Sequence, residues 1–206
     1  MVGERILPCR AAKGEGRYDA FVSLNSTDPA LWEARELLDI PVLGFLETTT
    51  LTACMMGRSF SLITPNPKFS LSYTQKLQLY GLTERLASIE AMNVPHLPDY
   101  RKAFTDPTAH ERVMQEFDAA ARRAVAAGAE VLIPCGSHAV LQARRGLREF
   151  EGALIMDGLA VLMKMTETAV KLHGIMGTFV SRKLLYQAPS ALVRDSAKKD
   201  YGIDIA

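Results

Sequence analysis

Two segments of this chain follow one plan: a short apolar run, a turn of small polar residues, then a stretch at helical period. The first reads Asp19-Ala-Phe-Val-Ser-Leu-Asn25-Ser26-Thr27 and the second Ala129-Glu-Val-Leu-Ile-Pro-Cys135-Gly136-Ser137. Each leads to an Ala-Arg pair, Ala34-Arg35 and Ala143-Arg144, and then to a second apolar run, Pro41 to Leu46 and Ala153 to Met156. An acidic residue follows at the same offset from each turn, Glu47 and Asp157. Apolar runs that do not alternate belong to strands covered on both faces. Strands that hand over to helices in this rhythm build parallel sheets through crossover connections. A duplicated unit implies two related halves with a site shared between them. One thiol, Cys135, against Asn25 implies that the halves do not share one chemistry.

The same alternation runs through the chain. Strands are expected at Ala20–Leu24, Val42–Leu46, Phe60–Ile63, Ala87–Met92, Val131–Ile133 and Ala153–Met156. Helices are expected at Pro29–Leu38, Thr48–Met56, Pro67–Tyr80, Pro107–Ala127, His138–Leu147 and Gly158–His173. Asp28-Pro29, Asn66-Pro67 and Asp106-Pro107 each read as an N-cap followed by Pro at the first helical position. Gly57, Gly81, Gly128 and Gly174 stand where helices should end, and Val94 to Asp106 reads as a surface loop. Only about 18 residues, polar and Gly-broken, precede the first strand, so the first half is expected to carry fewer strands.

Composition removes several function classes. With 206 residues, 48% hydrophobic and 23% charged, the chain is an ordinary globular one with room for a proper core. A net charge of +1 gives no reason to expect nucleic acid or an anionic membrane. The Arg122-Arg123 pair and the Arg144-Arg145-Arg148 group fall on helical stretches and read as solvated faces. Cys9, Cys54 and Cys135 are far apart, with no Cys-x-x-Cys pair and no zinc-finger spacing to a His. A reducing cytoplasm fits them. The start lacks the apolar run of a signal peptide, and the stretch from Ala153 to Met163, broken by Asp157, is too short to span a bilayer. No metal site is expected.

In parallel α/β sheets, ligands bind beyond the carboxyl ends of strands, where both polar turns lie. Each opens a helix whose first N–H groups and dipole favour an anion, with Ser26, Thr27 and Ser137 adding hydroxyls. Facing turns would grip a carboxylate or an enolate-like intermediate; taken singly, the hydroxyls also serve as plain helix caps. Cys135 at a helix start is either an accessible thiolate that moves a proton at carbon or a buried, inert thiol. Cys54, among Ala53, Met55 and Met56, and Cys9 suit the inert reading. His138, one turn after Cys135, either steadies the thiolate or is a first-turn residue without a role. His96 and His110 fall in or near the loop, and His173 is a C-terminal dipole partner. Glu47 and Asp157 are helix-start carboxylates whose matched offset keeps them as site candidates.

Other motifs fail. Gly14-x-Gly16 precedes a strand and lacks the third Gly of a dinucleotide fingerprint. There is no phosphate loop, Gly-x-Ser-x-Gly elbow or His-Glu-x-x-His. Met156, Met163 and Met165 read as core.

Several runs together resemble the aspartate/glutamate/hydantoin racemase family, nearest its hydantoin racemase branch. They are Asp28-Pro-Ala-Leu-Trp-Glu-Ala-Arg-Glu with Ile40-Pro-Val-Leu-Gly-Phe-Leu-Glu47, Phe60-Ser-Leu-Ile-Thr64, Tyr80-Gly-Leu, Gly128-Ala-Glu-Val-Leu-Ile-Pro-Cys135-Gly, and Asp157-Gly-Leu-Ala-Val-Leu-Met-Lys. The resemblance runs from about residue 18 to the end. It implies two Rossmann-like α/β lobes related by a pseudo-twofold axis, the first (1–57 with 158–206) shortened and the second at 58–157. It implies neither cofactor nor metal, and a cysteine from each lobe working on opposite faces of an amino acid or hydantoin. Carried over by position, the second thiol is Cys135, and the first falls on Asn25. Ser26, Thr27 and Ser137 map to the small polar residues beside the thiols. Gly136 and Glu47 join them as substrate contacts, with His138, Asp157 and Thr64 as further candidates. Glutamate racemases carry a His two residues after the second Cys, whereas His138 stands three after. Family members place a strand, a helix and a strand ahead of this region, so the resemblance implies that the chain is either truncated or has a reduced first lobe.

Asn cannot take a proton from carbon, so symmetrical two-thiol racemisation is not expected. The leading expectation is isomerase-type proton transfer on a carbon acid by one thiol. Related arylmalonate decarboxylases, which keep only the second-lobe thiol, give one alternative, and a non-catalytic protein that binds small carboxylates gives another. The expected partner is a small carboxylic acid, amino acid or hydantoin, with no nucleic acid and no membrane; a homo-oligomer is plausible.

Overall fold

The computed structural model describes residues 18–94 and 97–201, without the side chains of 97–99 and 201. Cys9, the Gly14-x-Gly16 pattern and His96 lie outside the described residues. The chain divides into two compact units, one of residues 1–23, 28–44 and 163–206, the other of residues 24–27 and 45–162.

The first unit holds strand β1 (Phe21–Ser23), helix α1 (Leu31–Leu37) and strand β2 (Val42–Gly44). The two strands pair in parallel, Phe21 opposite Val42, as a helical crossover requires. Leu31, Ala34, Leu38 and Val42 form its core, with Phe21, Trp32, Leu37 and Ile40 packed against them. The end of α1 leaves carbonyls without helical donors. Arg182 supplies them, donating to the carbonyls of Arg35 (2.6 Å), Glu36 (3.1 Å) and Leu38 (2.5 Å) and to the Asp39 carboxylate (2.8 Å). Arg35 donates in turn to the Val42 carbonyl and to the Tyr186 hydroxyl.

The second unit is built on helix α2 (Phe45–Met56), strand β3 (Phe60–Thr64), helix α3 (Ser70–Leu79), strand β4 (Leu86–Ala91), helix α4 (Leu97–Lys102) and helix α5 (Pro107–Ala126). Strand β5 (Val131–Pro134), helix α6 (His138–Arg145) and strands β6 (Glu149–Phe150) and β7 (Ala153–Ile155) complete its sheet. The strand order is β4-β3-β5-β7-β6. The first four run parallel and only β6, at the edge, is antiparallel. β3 and β5 are wholly buried, which is why they read as unbroken apolar runs. Along α5, Val113, Met114, Phe117, Ala120, Ala121 and Ala124 recur at helical spacing and are buried. They share a core with Ile63, Leu132, Leu141 and Ile155. Helix α7 (Gly158–Met176) continues from the second unit into the first, and helix α8 (Ala191–Tyr201) lies near the end. No helix among the described residues is long and apolar enough to cross a membrane.

The α/β class and the parallel pairing agree with the sequence. Asn66 and Asp106 cap as expected, accepting from the Lys68 and Ala109 N–H groups. Other details differ. Asp28 does not cap α1: it is buried at φ +43°, and the helix starts later, behind Ala30 at φ +56°. Residues 45 and 46, read as strand, open α2 instead. Gly174 lies inside α7, which ends before Gly177 at φ +74°. Part of the 94–106 stretch is the short α4. Met163 is exposed rather than core. Of the arginines read as solvated faces, Arg122, Arg123, Arg144 and Arg148 are indeed exposed, and only Arg145 is half-buried. Arg145 grips Asp118 with both nitrogens (2.5 and 2.9 Å), and Arg122 and Arg123 reach Glu151 and Glu90.

Candidate active site

The second unit's sheet has one reversal of direction. From β3 the chain goes to β4 on one side, and then to β5 and β7 on the other. The carboxyl ends of β3 and β5 are therefore the switch point where open α/β sheets leave a crevice. Ile63 stands opposite Pro134 in the register, so the next residues, Thr64 and Cys135, flank that crevice. The Cys135 N–H continues the ladder to the Ile63 carbonyl at 2.8 Å.

A cavity of about 450 Å³ opens at this place, within the usual range of small-ligand pockets. Asn25, Ser26, Thr27, Gly136, Ser137 and Tyr73 supply its polar lining, and Leu24, Pro65, Phe69, Val140 and Leu159 its apolar lining. All of them belong to the second unit. The two polar turns singled out in the sequence thus line one cavity. Asn25 is fixed within its own turn: its Oδ1 accepts from the Thr27 N–H (3.0 Å) and hydroxyl (2.7 Å). That leaves the amide NH2 as the group it can offer a ligand.

Cys135 immediately precedes the Gly136-Ser137 wall but is fully buried and does not itself line the cavity; its thiol donates to the Ile133 carbonyl at 3.5 Å. Tyr73, 1% exposed, also lines the cavity, and its hydroxyl bonds the Ser26 hydroxyl at 2.8 Å. Burial first, and then the nearby thiol, push the phenol well above its ordinary range. Gly136 holds φ +77°, a conformation that any other L-residue resists. Gly136→Ala should cost about 1–2 kcal/mol in a urea melt.

The other candidates fall elsewhere. The fully buried His138 packs its ring on Phe117 (5.0 Å between centroids) and Tyr100 (6.4 Å). Its Nδ1 is 3.4 Å from the Cys135 carbonyl rather than on the thiol. Burial lowers its pKa to about 4. Asp157 caps α7, accepting from the Ala160 N–H at 3.0 Å. Glu47 lies in the first turn of α2, and neither it nor Asp157 lines the cavity. Thr64 is buried at the end of β3 with its hydroxyl on Asn66. Among the described residues, no group of three or more His, Cys, Asp or Glu converges as a metal site.

Tyr73 was not among the residues drawn from the sequence. A partial signal was present: α3 carries Tyr73 and Leu77 at four-residue spacing on its buried face, and a buried Tyr needs a partner for its hydroxyl.

A parallel sheet with a cavity at its switch point, walled by the Asn25-Ser26-Thr27 turn and the turn that follows Cys135, is the arrangement in which α/β folds place their ligand crevice. The Asp/Glu/Hydantoin racemase family matches residues 8–166, and the chain belongs to that family. It is 29% identical over 92% of its length to the hydantoin racemase of Pseudomonas sp., covering 72% of that protein. It is 28% identical over 77% to the hydantoin racemase of Rhizobium meliloti, covering 62% of it. Among solved structures it is similar to the allantoin racemase from Klebsiella pneumoniae (26% identity, TM-score 0.72, 92% of this chain and 72% of that one). The glutamate racemase isoform RacE1 from Bacillus anthracis shares the fold (17% identity, TM-score 0.56, 100% of this chain and 80% of that one).

Proposed function

We propose that this protein is an isomerase-type enzyme that exchanges the acidic C–H proton of a small cyclic ureide, of the hydantoin or allantoin type, with Cys135 as its one thiol acid/base. The observation that carries this reading is the lining of one cavity by the Asn25-Ser26-Thr27 turn and by the Gly136-Ser137 turn that follows Cys135. Removing a proton next to a carbonyl leaves an enolate, whose oxygen needs donors already in place. The Asn25 NH2, which the Thr27 N–H and hydroxyl hold in place through Oδ1, the Ser137 hydroxyl and the N–H groups of the Gly136-Ser137 turn are of that kind. The cavity's apolar lining from Leu24, Phe69 and Leu159 suits an uncharged ring and its substituent. No cofactor enters the scheme, and the lobe division at 57/58 and 157/158 belongs to the same proposal.

With Asn25 in place of a thiol, Cys135 removes and returns the proton on one face, so exchange goes mainly with retention, and inversion needs the slower delivery of a proton from water to the opposite face. The test is incubation of 5-substituted hydantoins and allantoin in heavy water, followed by NMR. Deuterium should enter the acidic position faster than the change in optical rotation. Absence of enzyme-dependent uptake would sink the proposal. Equal rates of uptake and optical change would point instead to orthodox racemisation.

The complete burial of Cys135 favours a second reading, a small-ligand binder without chemistry. There, thermal shifts with hydantoins and small carboxylates would be unaltered in Cys135→Ala.

A further inference from the structure

We propose that the Ser26–Tyr73 hydrogen bond is a latch that holds the Asn25-Ser26-Thr27 wall of the cavity in place, which makes Tyr73 a positioning residue for the Asn25 amide. What the latch does for turnover rests on the one-thiol reading above; the latch itself does not.

The turn has little else to hold it. Its two internal bonds, from the Thr27 N–H and hydroxyl to Asn25 Oδ1, fix its shape but not its place. Among the described residues, the 2.8 Å bond between Ser26 and Tyr73 is the only side-chain hydrogen bond that ties residues 24–27 to another segment. Both partners are buried. A buried hydroxyl left without a partner costs more than the bond itself gains, so each of the two holds the other. Tyr73 is the fixed member. It shares the buried face of α3 with Leu77, and its ring centroid lies 6.4 Å from that of Phe69.

The backbone shows that the turn needs holding. Residues 24–27 group with the second unit, whereas Ser23 before them and Asp28 after them group with the first. Just past the turn, Asp28 and Ala30 stand at φ +43° and +56°, the left-handed region that residues other than Gly resist. Such strain persists only where surrounding contacts over-determine it. Asp28 is fixed by burial with its carboxylate against Gly44, and Ser26, two residues earlier, by Tyr73. Without the Ser26 bond the turn relaxes, and the Asn25 NH2 moves with it.

A latch has its own kinetic signature. A ligand that meets a displaced turn must restore it, so apparent affinity falls with the fraction of chains whose turn is in place. Once restored, the complex turns over much as before, so KM changes more than kcat. A Tyr73 that touched the enolate itself would show the reverse.

The test uses the full chain with Cys9→Ser and Cys54→Ser. Tyr73→Phe and Ser26→Ala should each raise the KM for deuterium exchange into a 5-substituted hydantoin about fivefold, the usual worth of one such bond, with a smaller change in kcat. The double variant should be no worse than either, because both changes break the same bond. In parallel, Leu24→Cys at an exposed position of the turn takes a nitroxide label that the buried Cys135 does not. Both variants should mobilise that label and leave unmoved a control label on Gln115→Cys, exposed on α5. An additive double variant overturns the latch, as does a loss in kcat larger than the rise in KM. So does a Leu24→Cys label that stays unmoved in folded Tyr73→Phe, or a control label that loosens equally. If Tyr73→Phe does not fold, Ser26→Ala decides alone. Because the label is read without substrate, its mobilisation with no deuterium exchange would reject the proposed reaction and keep the latch.

Discussion

Lowering the pH from 7 to 4 should cost the fold about 3 kcal/mol through His138 alone. In the folded chain its pKa is about 4, against an ordinary 6.5, and each unit of difference is worth about 1.4 kcal/mol. The sign follows from which state binds the proton. Above pH 6.5 the ring is neutral in both states and stability is full. Between 6.5 and about 4 the unfolded chain takes up a proton that the folded chain refuses, so stability falls as the pH falls. Below about 4 both states are protonated and the loss from this group stops. The cause is the surroundings: Phe117 and Tyr100 pack on the ring, and its one counteracting influence is the Cys135 carbonyl. Among the described residues no carboxylate bonds the ring to hold an imidazolium. Denaturant melts at pH 7, 5.5 and 4 on wild type and His138→Gln would measure this. The variant should be weaker at pH 7, because it loses the aromatic packing, but its stability should fall less on acidification. Parallel pH slopes for the two proteins would defeat the assignment.

The same residue shows where sequence reading stops. One turn after Cys135, His138 invites a role on the thiol, because spacing along a helix is visible in the sequence. Which face of α6 turns to the core is decided by partners far away in the chain. Phe117 and Tyr100 draw the ring inward, and Ser137 remains at the cavity. Elements with strong local signals came through. β3 and β5 read correctly because burial on both faces writes an unbroken apolar run, and Asn66 and Asp106 cap because their side-chain oxygens accept first-turn N–H groups beside a Pro preset for the helix. Two-residue β6 exists only through its pairing with β7 and has no signature of its own. Asp28-Pro29 looked like a third cap, but Gly44 lies so close to the Asp28 carboxylate that a Cβ there would meet it at 2.6 Å, and the helix starts beyond it. For the site, the paired turns were legible as a repeat. Tyr73 was legible only as a buried-face residue of α3; that its hydroxyl meets Ser26 on a distant segment is not written locally.

Under the one-thiol proposal, Cys135→Ala should lower deuterium exchange by about 10²- to 10⁴-fold, the usual contribution of a positioned acid or base. Because Cys135 is wholly buried among packed neighbours, the loss of its sulfur should also lower stability, by about 1 kcal/mol on the scale of a small buried group. Exchange and stability must therefore be read together, with rates taken well below the melting transition. Asn25→Ala separates the two walls of the cavity. It removes a donor and the acceptor that orders Thr27, but no acid or base, so it should slow exchange by far less than Cys135→Ala does. If instead the Asn25 change were the more damaging, the proton would be moving through the hydroxyl-bearing turn and Cys135 would be a core thiol. If Cys135→Ala kept wild-type exchange, the reaction would need another base, and the buried thiol would retain only a packing role.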